Sequence, residues 1–478
     1  MKKSIFLCFL VFAVFGAVFS QTTTHKEEKG VMFFSAHIEH PNSDSVFIST
    51  DYPRKILKVF KLDKNNEVAD TLMITRGFYD INDGTEFTKC YLVPGDSLHL
   101  TLDTRQFDET VRYSGKGACE NNYLAQKFLY NESLGLKTYY GYWGKLDEKS
   151  FLQLNDSIYH LFSFLLDSFN KICSMDSEFF YVESHSILFT HYDHITSYPG
   201  LYRWLTGNKD YRPSDTFPDP FVNFDFNDER LVEADYYLIL IDRYLADKAF
   251  EMKRNAVKED SSLRKTLDPY LIYLNMADTL LKSPKIKEKI LSDEFISFHF
   301  KNALNLDASY RKLKAMLHDT GNIAVLDSIY KGLKAMEPGT KAPEFSLYDI
   351  DSNLVTLSSL RGNLVYVDIW STWCLPCLKE IEPMEKLMES YKGKKIKFVS
   401  ICKNDDYERW KKTVRKNKLK GIQLFAPEEN IAFFTHFLVS GVPRYLLIDA
   451  DGKVISNDAP RPSWDKPIRE LIDENLPE

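Results

Sequence analysis

Cysteine is scarce in this chain. Seven cysteines in 478 residues exclude the small, cystine-dense scaffolds that replace a core with cross-links. Positive charge is not in excess either. Lys and Arg number 61 against 68 Asp and Glu, for a formal charge of −7, which argues against nucleic acid as a partner. Beyond the first twenty residues no stretch is apolar enough to span a membrane, which takes about 20 residues. There is no internal repeat and no low-complexity tract. What remains is a chain too long for one ordinary domain, so two or three are expected.

The first twenty residues stand apart. Lys2 and Lys3 precede a nearly unbroken apolar run from Ile5 to Phe19, and Val18-Phe19-Ser20 offers small residues before Gln21. This pattern reads as a cleaved secretory signal over 1–20, and the mature protein is expected to be soluble and exported, in the periplasm. Cys8 leaves with that segment. Cys90, Cys119, Cys173 and Cys402 are scattered and are expected as buried, unpaired thiols. A Cys90–Cys119 bridge stays open, because sequence does not establish connectivity.

Three regions follow, giving a multidomain fold class. Residues 21–117 carry β-rich runs such as Val31–Phe34, Ser45–Ser49, Ile56–Leu62 and Cys90–Val93, separated by Asn-, Asp- and Gly-bearing turns. Leu98-His99-Leu100-Thr101-Leu102 alternates as a half-solvated strand does. An N-terminal antiparallel β-sandwich is expected. Residues 118–335 switch to spacings of three and four, as in Tyr159, Phe162, Leu165, Leu166 and Phe169, and form a middle all-α domain. Residues 336–343, with Pro338, Gly339 and Pro343, are a linker by composition. From 344 to 478 strand and helix alternate, which implies a C-terminal α/β domain with helices covering a sheet.

The chemistry concentrates in Trp373-Cys374-Leu375-Pro376-Cys377. The stretch follows a buried-type strand, 364–370, and opens a helix expected to run from Pro376 to about Tyr391. Pro376 falls where a missing N–H costs nothing. Two cysteines three apart at a helix N-terminus close into a small disulfide and reopen, which is thiol–disulfide exchange. Cys374, just ahead of the first turn, is the expected exposed nucleophile, because the helix N-terminus favours a thiolate. Cys377, one turn inside, is the expected buried resolving thiol. A zinc site would need four ligands, and no second Cys or Cys/His pair stands at suitable spacing nearby. Asp368 is an acid in an otherwise apolar strand, and a buried carboxylate needs a partner or a task. It is a candidate for proton exchange with Cys377, as is Glu380, one turn past it on the helix. Gly441-Val442-Pro443-Arg444 begins a strand. Proline there belongs at an edge, a start or a cis bend, and Val442 backbone groups would face an extended substrate. Trp373, Val442 and Pro443 are the substrate-contact candidates. His185, His191 and His194 are close enough to raise a metal site, but without a defined carboxylate partner no metal is expected.

These residues resemble a known family. Ala342-Pro343-x-Phe345, Leu357-x-x-Leu360-Arg361-Gly362, the Trp-Cys-x-Pro-Cys site, Glu380 and Gly441-Val442-Pro443 are similar to the TlpA/ResA-like, thioredoxin-fold thiol–disulfide oxidoreductases. The resemblance covers under a third of the chain. It implies a cis proline at Pro443, tuning of the thiols by Glu380, and in Asp368 the buried acid of thioredoxins. Tyr91-Leu92-Val93-Pro94-Gly95-Asp96-Ser97-Leu98 and Gly115-Lys116-Gly117 with Asn121-Asn122 resemble the β-plus-helical front half of such proteins from Bacteroidetes-type bacteria, a match that names no activity.

The resulting expectation is an exported oxidoreductase that reduces disulfide-bonded protein substrates through Cys374 and Cys377. It would need no cofactor beyond that redox-active disulfide and would draw electrons from a membrane thiol-electron carrier. Leu375-Pro376 supplies no cation to stabilise a thiolate and Glu380 opposes one, so the pair leans towards a reductant. The alternatives are a disulfide donor or isomerase, a peptide-, glycan- or partner-binding protein with an accessory thioredoxin domain, and, third, a peroxidase.

Overall fold

The computed structural model describes residues 29–50, 55–135, 143–292, 299–300, 303–427, 434, 437, 439 and 441–477. The expected secretory signal, 1–20, lies outside them. The chain divides into two compact units, Met1–Leu240 and Ile241–Glu478.

The first unit opens with eight strands: β1 (Gly30–Glu39), β2 (Ser45–Thr50), β3 (Ile56–Lys61), β4 (Glu67–Ile74), β5 (Gly77–Asn82), β6 (Phe87–Leu92), β7 (Ser97–Asp103) and β8 (Arg112–Lys116). They form two four-stranded sheets, ordered β4-β1-β7-β8 and β3-β2-β5-β6. Alternation along β1 buries Met32, Phe34, Ala36 and Ile38 and exposes Val31 and Phe33, the two-residue period of a half-solvated strand. Met32, Phe34, Leu98 and Leu100 from one sheet and Val46, Ile48, Ile81 and Leu92 from the other belong to one buried cluster. Pairing is not antiparallel throughout, which corrects the expectation. β1 runs parallel to β7, because the chain between them visits the other sheet and returns by a long crossover. Gly115 sits at φ +87°, and a Cβ there would lie 2.1 Å from the Ser97 carbonyl oxygen, so the β7–β8 approach requires glycine.

Helices α1 (Ala118–Ser133), α2 (Glu148–Cys173) and α3 (Ser177–Thr206) follow. Two adjacent asparagines fasten α1 to the sheet ends. Asn121 accepts from the Tyr91 N–H at 2.8 Å and donates to the Tyr91 carbonyl at 2.8 Å. Asn122 does the same for Tyr113 at 2.9 and 2.8 Å. Each side-chain amide supplies a backbone group with the partner that a further strand would have given. Trp143, Phe151 and Tyr198 are fully buried and form a ring cluster, with Phe151 and Tyr198 stacked at 4.1 Å.

Cys119, in the first turn of α1, is disulfide-bonded to Cys173, the last residue of α2. The expectation of four unpaired thiols is corrected here. Two residues 54 apart in sequence meet only through the helix packing, which no local pattern encodes. Cys90 and Cys402 are free and buried.

In the second unit, helices α4 (Tyr237–Glu259, which the division between the units crosses), α5 (Pro269–Leu280), α6 (Pro284–Ile290), α7 (Leu306–Met316) and α8 (Thr320–Ala335) precede the sheet. Asp268, Ser283, Asn305 and Asp319 cap the last four with side-chain oxygens, as helix starts demand. A seven-stranded sheet comes next: β9 (Ser346–Asp349), β10 (Leu354–Thr356), β11 (Leu364–Trp370), β12 (Ile396–Lys403), β13 (Ile422–Ala426), β14 (Arg444–Ile448) and β15 (Val454–Ser456), ordered β10-β9-β13-β12-β11-β14-β15. β11, β12 and β13 are parallel, and β14 runs antiparallel to β11. Between them lie α9 (Leu375–Lys379), α10 (Ile381–Ser390) and α11 (Tyr407–Asn417), and α12 (Asp465–Asp473) follows β15. The single helix expected from Pro376 to Tyr391 is two, meeting at Glu380. Pro383 has no N–H to offer the Lys379 carbonyl, so the helical ladder is interrupted there.

Closing a loop of this length restricts the unfolded chain by roughly 4 kcal/mol in the entropic account. Replacing Cys119 and Cys173 together by alanine is therefore expected to lower unfolding stability by about 2–4 kcal/mol. Denaturant unfolding checks the loss, and peptide mapping without reductant checks the pairing. A Cys90–Cys119 peptide would overturn it.

Candidate active site

β11 delivers the chain to the site. Its residues Val365, Val367 and Ile369 are buried on one face, and Leu364, Tyr366 and Trp370 on the other. Ser371, Thr372 and Trp373 then turn the chain into α9. Cys374 is the N-cap of α9, with φ −81° and ψ 95°. Its Sγ accepts a hydrogen bond from the Cys377 N–H at 3.2 Å. This is the orphan donor that a helix start normally offers to a hydroxyl or carboxylate, and here it is aimed at sulfur. Cys374 and Cys377 form a disulfide with Cα atoms 5.2 Å apart.

Burial does not separate the two cysteines as expected. Cys374 is 4% and Cys377 5% exposed. Both pack with Trp370, Cys402, Trp410 and Val414. With the disulfide closed, Cys374 lies against this apolar wall, where an exposed nucleophile was expected. The open flanks are its sequence neighbours, Trp373 and Leu375, 59% and 62% exposed.

Asp368 stands on β11 in register with Ser400 of β12 and Tyr445 of β14. Its Oδ2 accepts from Ser400 Oγ at 3.3 Å. Its Oδ1 is buried without a hydrogen-bond partner. Burial pushes the carboxyl up to about 7, and the Glu380 charge adds to the rise while the Ser400 hydrogen bond opposes it. An acid poised near neutrality is suited to taking and returning a proton. Tyr445 is driven up from its ordinary value by burial and by the same two acids. Glu380 is buried, and both of its oxygens are engaged by Ser463. Oε2 accepts from the Ser463 N–H at 2.9 Å and Oε1 from the hydroxyl at 2.7 Å.

The Val442–Pro443 peptide bond is cis. Val442 is partly buried and packs against the cluster that holds both cysteines. The histidines do not converge. His185 Nδ1 donates to the Tyr181 carbonyl at 2.8 Å, His191 Nε2 lies 2.8 Å from Asp156, and His194 Nδ1 lies 2.8 Å from Asn155. Burial, then the neighbouring His191, lowers His194 to about 4.

Sequence reasoning missed Ser400, Asp405 and Ser463. Asp405 has a fully buried side chain, and its Oδ2 accepts from the Thr372 N–H at 2.5 Å. Asn404-Asp405-Asp406 ahead of the amphipathic run in α11 was a readable helix-start signal. The N-cap is Asp406, whose side chain accepts from the Arg409 N–H, and the acid beside it reaches the dithiol loop.

Residues 337–470 match the family described as Redoxin. The chain is 31% identical over 136 residues to the thiol-disulfide oxidoreductase ResA of Bacillus anthracis, a match that covers 28% of this chain and 78% of that protein. It is 26% identical over 134 residues to ResA of Bacillus subtilis (strain 168), covering 27% and 72%. Among solved structures, the thioredoxin domain of a thiol-disulfide oxidoreductase from Bacteroides vulgatus is 23% identical, covers 29% of this chain and 98% of its own, and superposes with a TM-score of 0.27.

The raised acid sets a pH dependence. The fold prefers Asp368 protonated, so ionising it costs stability, and the cost grows from the ordinary value of 3.8 up to about 7 and is constant above. Asp368→Asn should therefore match wild type near pH 4 and exceed it at pH 8. The expected gain is about 1–2 kcal/mol, less than a full conversion of the shift at 1.36 kcal/mol per unit because the residue is half-buried. Urea unfolding at the two pH values checks this. A gain equal at both would show that the carboxyl is not the titrating group.

Proposed function

Through its C-terminal domain the chain belongs to the ResA-like thiol–disulfide oxidoreductases of thioredoxin fold, and from that membership we propose that it is exported and reduces protein disulfides through Cys374 and Cys377. The observation that carries the reading is the helix N-cap position of Cys374, whose sulfur already accepts a backbone N–H from the residue it pairs with. A developing thiolate there meets a donor and the positive end of a helix.

In the forward reaction the Cys374 thiolate attacks one sulfur of a substrate disulfide. That S–S bond breaks, a mixed disulfide forms, and the other substrate sulfur leaves as a thiolate. Cys377 then gives up its proton, with Asp368 as acceptor, and attacks Cys374 Sγ. The mixed disulfide breaks, the second substrate thiol is released, and the Cys374–Cys377 disulfide closes. Substrate gains two electrons and two protons, and the enzyme pair loses them. Resetting the pair takes two electrons and two protons from an external dithiol donor, which we assign to a membrane thiol-electron carrier. Glu380 tunes the thiols by holding a negative charge close behind α9, and its hold on Ser463 supports that placement. Exposed Trp373 and the Val442–Pro443 segment receive the substrate. The packing of Val442 on the cysteine cluster supports this assignment.

We assign 1–20 to a secretory signal and the periplasm as the destination. Among the described residues no helix is long and apolar enough to cross a membrane. Residues 21–117 and 118–335 are proposed as a β-sandwich-like and a helical domain, and 336–343 as the linker to the redox domain, 344–478. The redox pair itself is the cofactor.

Cys377→Ser should accumulate mixed disulfides through Cys374, and Cys374→Ser should accumulate none. Asp368→Asn should slow resolution of the mixed disulfide more than its formation, by roughly the 10²–10⁴-fold that general acid–base help supplies. Stopped-flow alkylation with peptide mapping reads both steps. Adducts carried by Cys377, or an Asp368→Asn variant slowed equally in both steps, would reverse the assignments.

A further inference from the structure

Three consecutive residues ahead of the dithiol are tied to three consecutive residues, 403–405, at the end of β12. The Ser371 hydroxyl donates to the Lys403 carbonyl. The Thr372 N–H donates to Asp405 Oδ2 at 2.5 Å. Trp373 Nε1 donates to the Asn404 carbonyl at 3.0 Å. Asp405 is the only side chain in this clamp that brings a charge to it, and none of that side chain is exposed. Its Oδ1 accepts from the Asp406 N–H at 2.9 Å. The Cys402 thiol lies on its Oδ2 at 3.7 Å, and Cys402 is fully buried in the same cluster as Cys374 and Cys377. The carboxylate therefore faces the wall of the dithiol on one side and the start of α11 on the other.

Among the described residues, the charges next to Asp405 are Arg409, Lys403 and the neighbouring Asp406, whose carboxylate caps α11. Arg409 approaches to 3.9 Å but is 61% exposed, so solvent screens it. Lys403 points elsewhere, donating to the Val439 carbonyl at 2.8 Å. Asp368 adds negative charge at Cys402, as Asp405 does, and both reinforce the burial that drives the Cys402 thiol up. An amide in its place would keep an acceptor for Thr372 but turn a donor towards the Asp406 N–H, so the two N–H groups hold a carboxylate, with its charge, next to the redox pair.

We propose that Asp405 is a positioning residue for the dithiol: it fixes the loop that presents Cys374, and its negative charge keeps the Cys374–Cys377 pair reducing. Fixing the loop acts on both redox states alike. The charge does not, because it opposes the thiolate of the reduced, activated pair and leaves the neutral disulfide untouched. The inference rests on the dithiol being redox-active, and it adds a residue that neither the motif nor its spacing singles out.

The full chain is equilibrated with glutathione buffers, and the reduced fraction of the pair is read by differential alkylation and mass spectrometry of the peptide holding Cys374 and Cys377. This keeps Cys119–Cys173 and Cys402 out of the readout. Asp405→Asn keeps an acceptor for Thr372, gives up the one for the Asp406 N–H and removes the charge. It should shift the equilibrium with glutathione three- to tenfold towards the reduced pair, which is about 14–30 mV at about 30 mV per tenfold change. Asp405→Ala should show the same shift and, in addition, a several-fold loss of disulfide-reduction rate that Asp405→Asn largely recovers. An unchanged potential in Asp405→Asn would overturn the electrostatic role even if Asp405→Ala fails to fold. An Asp405→Ala rate equal to wild type would overturn the positioning role. A wild-type peptide that never exchanges with glutathione would instead overturn the redox reading beneath it.

Discussion

The chain leaves β11 at Trp370 and must begin a helix at Leu375, so four residues reverse its direction, and the chemistry depends on how those four are held. A turn of this kind left to itself would leave the position of Cys374 undefined. Here Ser371, Thr372 and Trp373 are each fastened to the 403–405 segment, and Cys374 is fastened to the helix it caps. Fixing the turn from both ends aligns an orphan N–H with a sulfur without asking the short helix to do it alone. Five residues of α9 are too few to be stable by propensity, and packing against Trp370, Trp410 and Val414 supplies what propensity does not.

Carboxylates dominate the surroundings of that turn. Asp368 lies in the sheet, Glu380 at the joint of α9 and α10, and Asp405 after β12. Each would cost several kcal/mol if buried and unpartnered, and each is dealt with differently. Glu380 and Asp405 are met by backbone N–H groups. Asp368 has one weak partner and an orphaned oxygen, so it stays protonated towards neutrality. The contrast divides the labour. The two well-partnered acids are held in place by their donors, whereas the poorly partnered acid is free to move a proton. A dithiol without a cation between its cysteines and with acids behind it has a less stabilised thiolate, which is the physical basis for the proposal that the pair works as a reductant.

What was legible in the sequence is what depends on near neighbours. β11, the dithiol, the acid six residues before it and the one three residues after it are all set by spacing along the chain. Their places were readable because strand period and helix turn convert spacing into position. Asp405 and Ser463 act across 33 and 83 residues, so their meeting is a product of the parallel β11–β12 pairing and of the return of the chain after β15. Nothing local marks them. β13, Ile422–Ala426, lacked turn signals strong enough to declare it, and β4 opens on Glu67-Val68-Ala69-Asp70, where two acids flank a partly buried Val68 and break the strand's apolar pattern. The parallel β1–β7 pair is likewise a fact of topology, invisible to alternation, which is the same in either direction.

The Cys119–Cys173 bridge places a second disulfide in a chain whose other end is read as a reductase, and the two must not short-circuit. Their physical settings separate them. The dithiol joins residues three apart at a helix start, where opening releases little constraint. Cys119–Cys173 ties the start of α1 to the end of α2 across 54 residues, beside the buried Glu120, which accepts the Asp176 N–H at 2.6 Å, and Asp176 in turn caps α3 and holds Arg76 at 2.7 Å. Opening that bridge while the helices stay packed leaves the two sulfurs adjacent, so it re-forms whenever an oxidant is present. A cross-link of this kind persists where the surroundings are oxidising, the same compartment in which a reductase must be resupplied with electrons from outside itself. Such a bridge in the front half agrees with the proposal of an exported reductase.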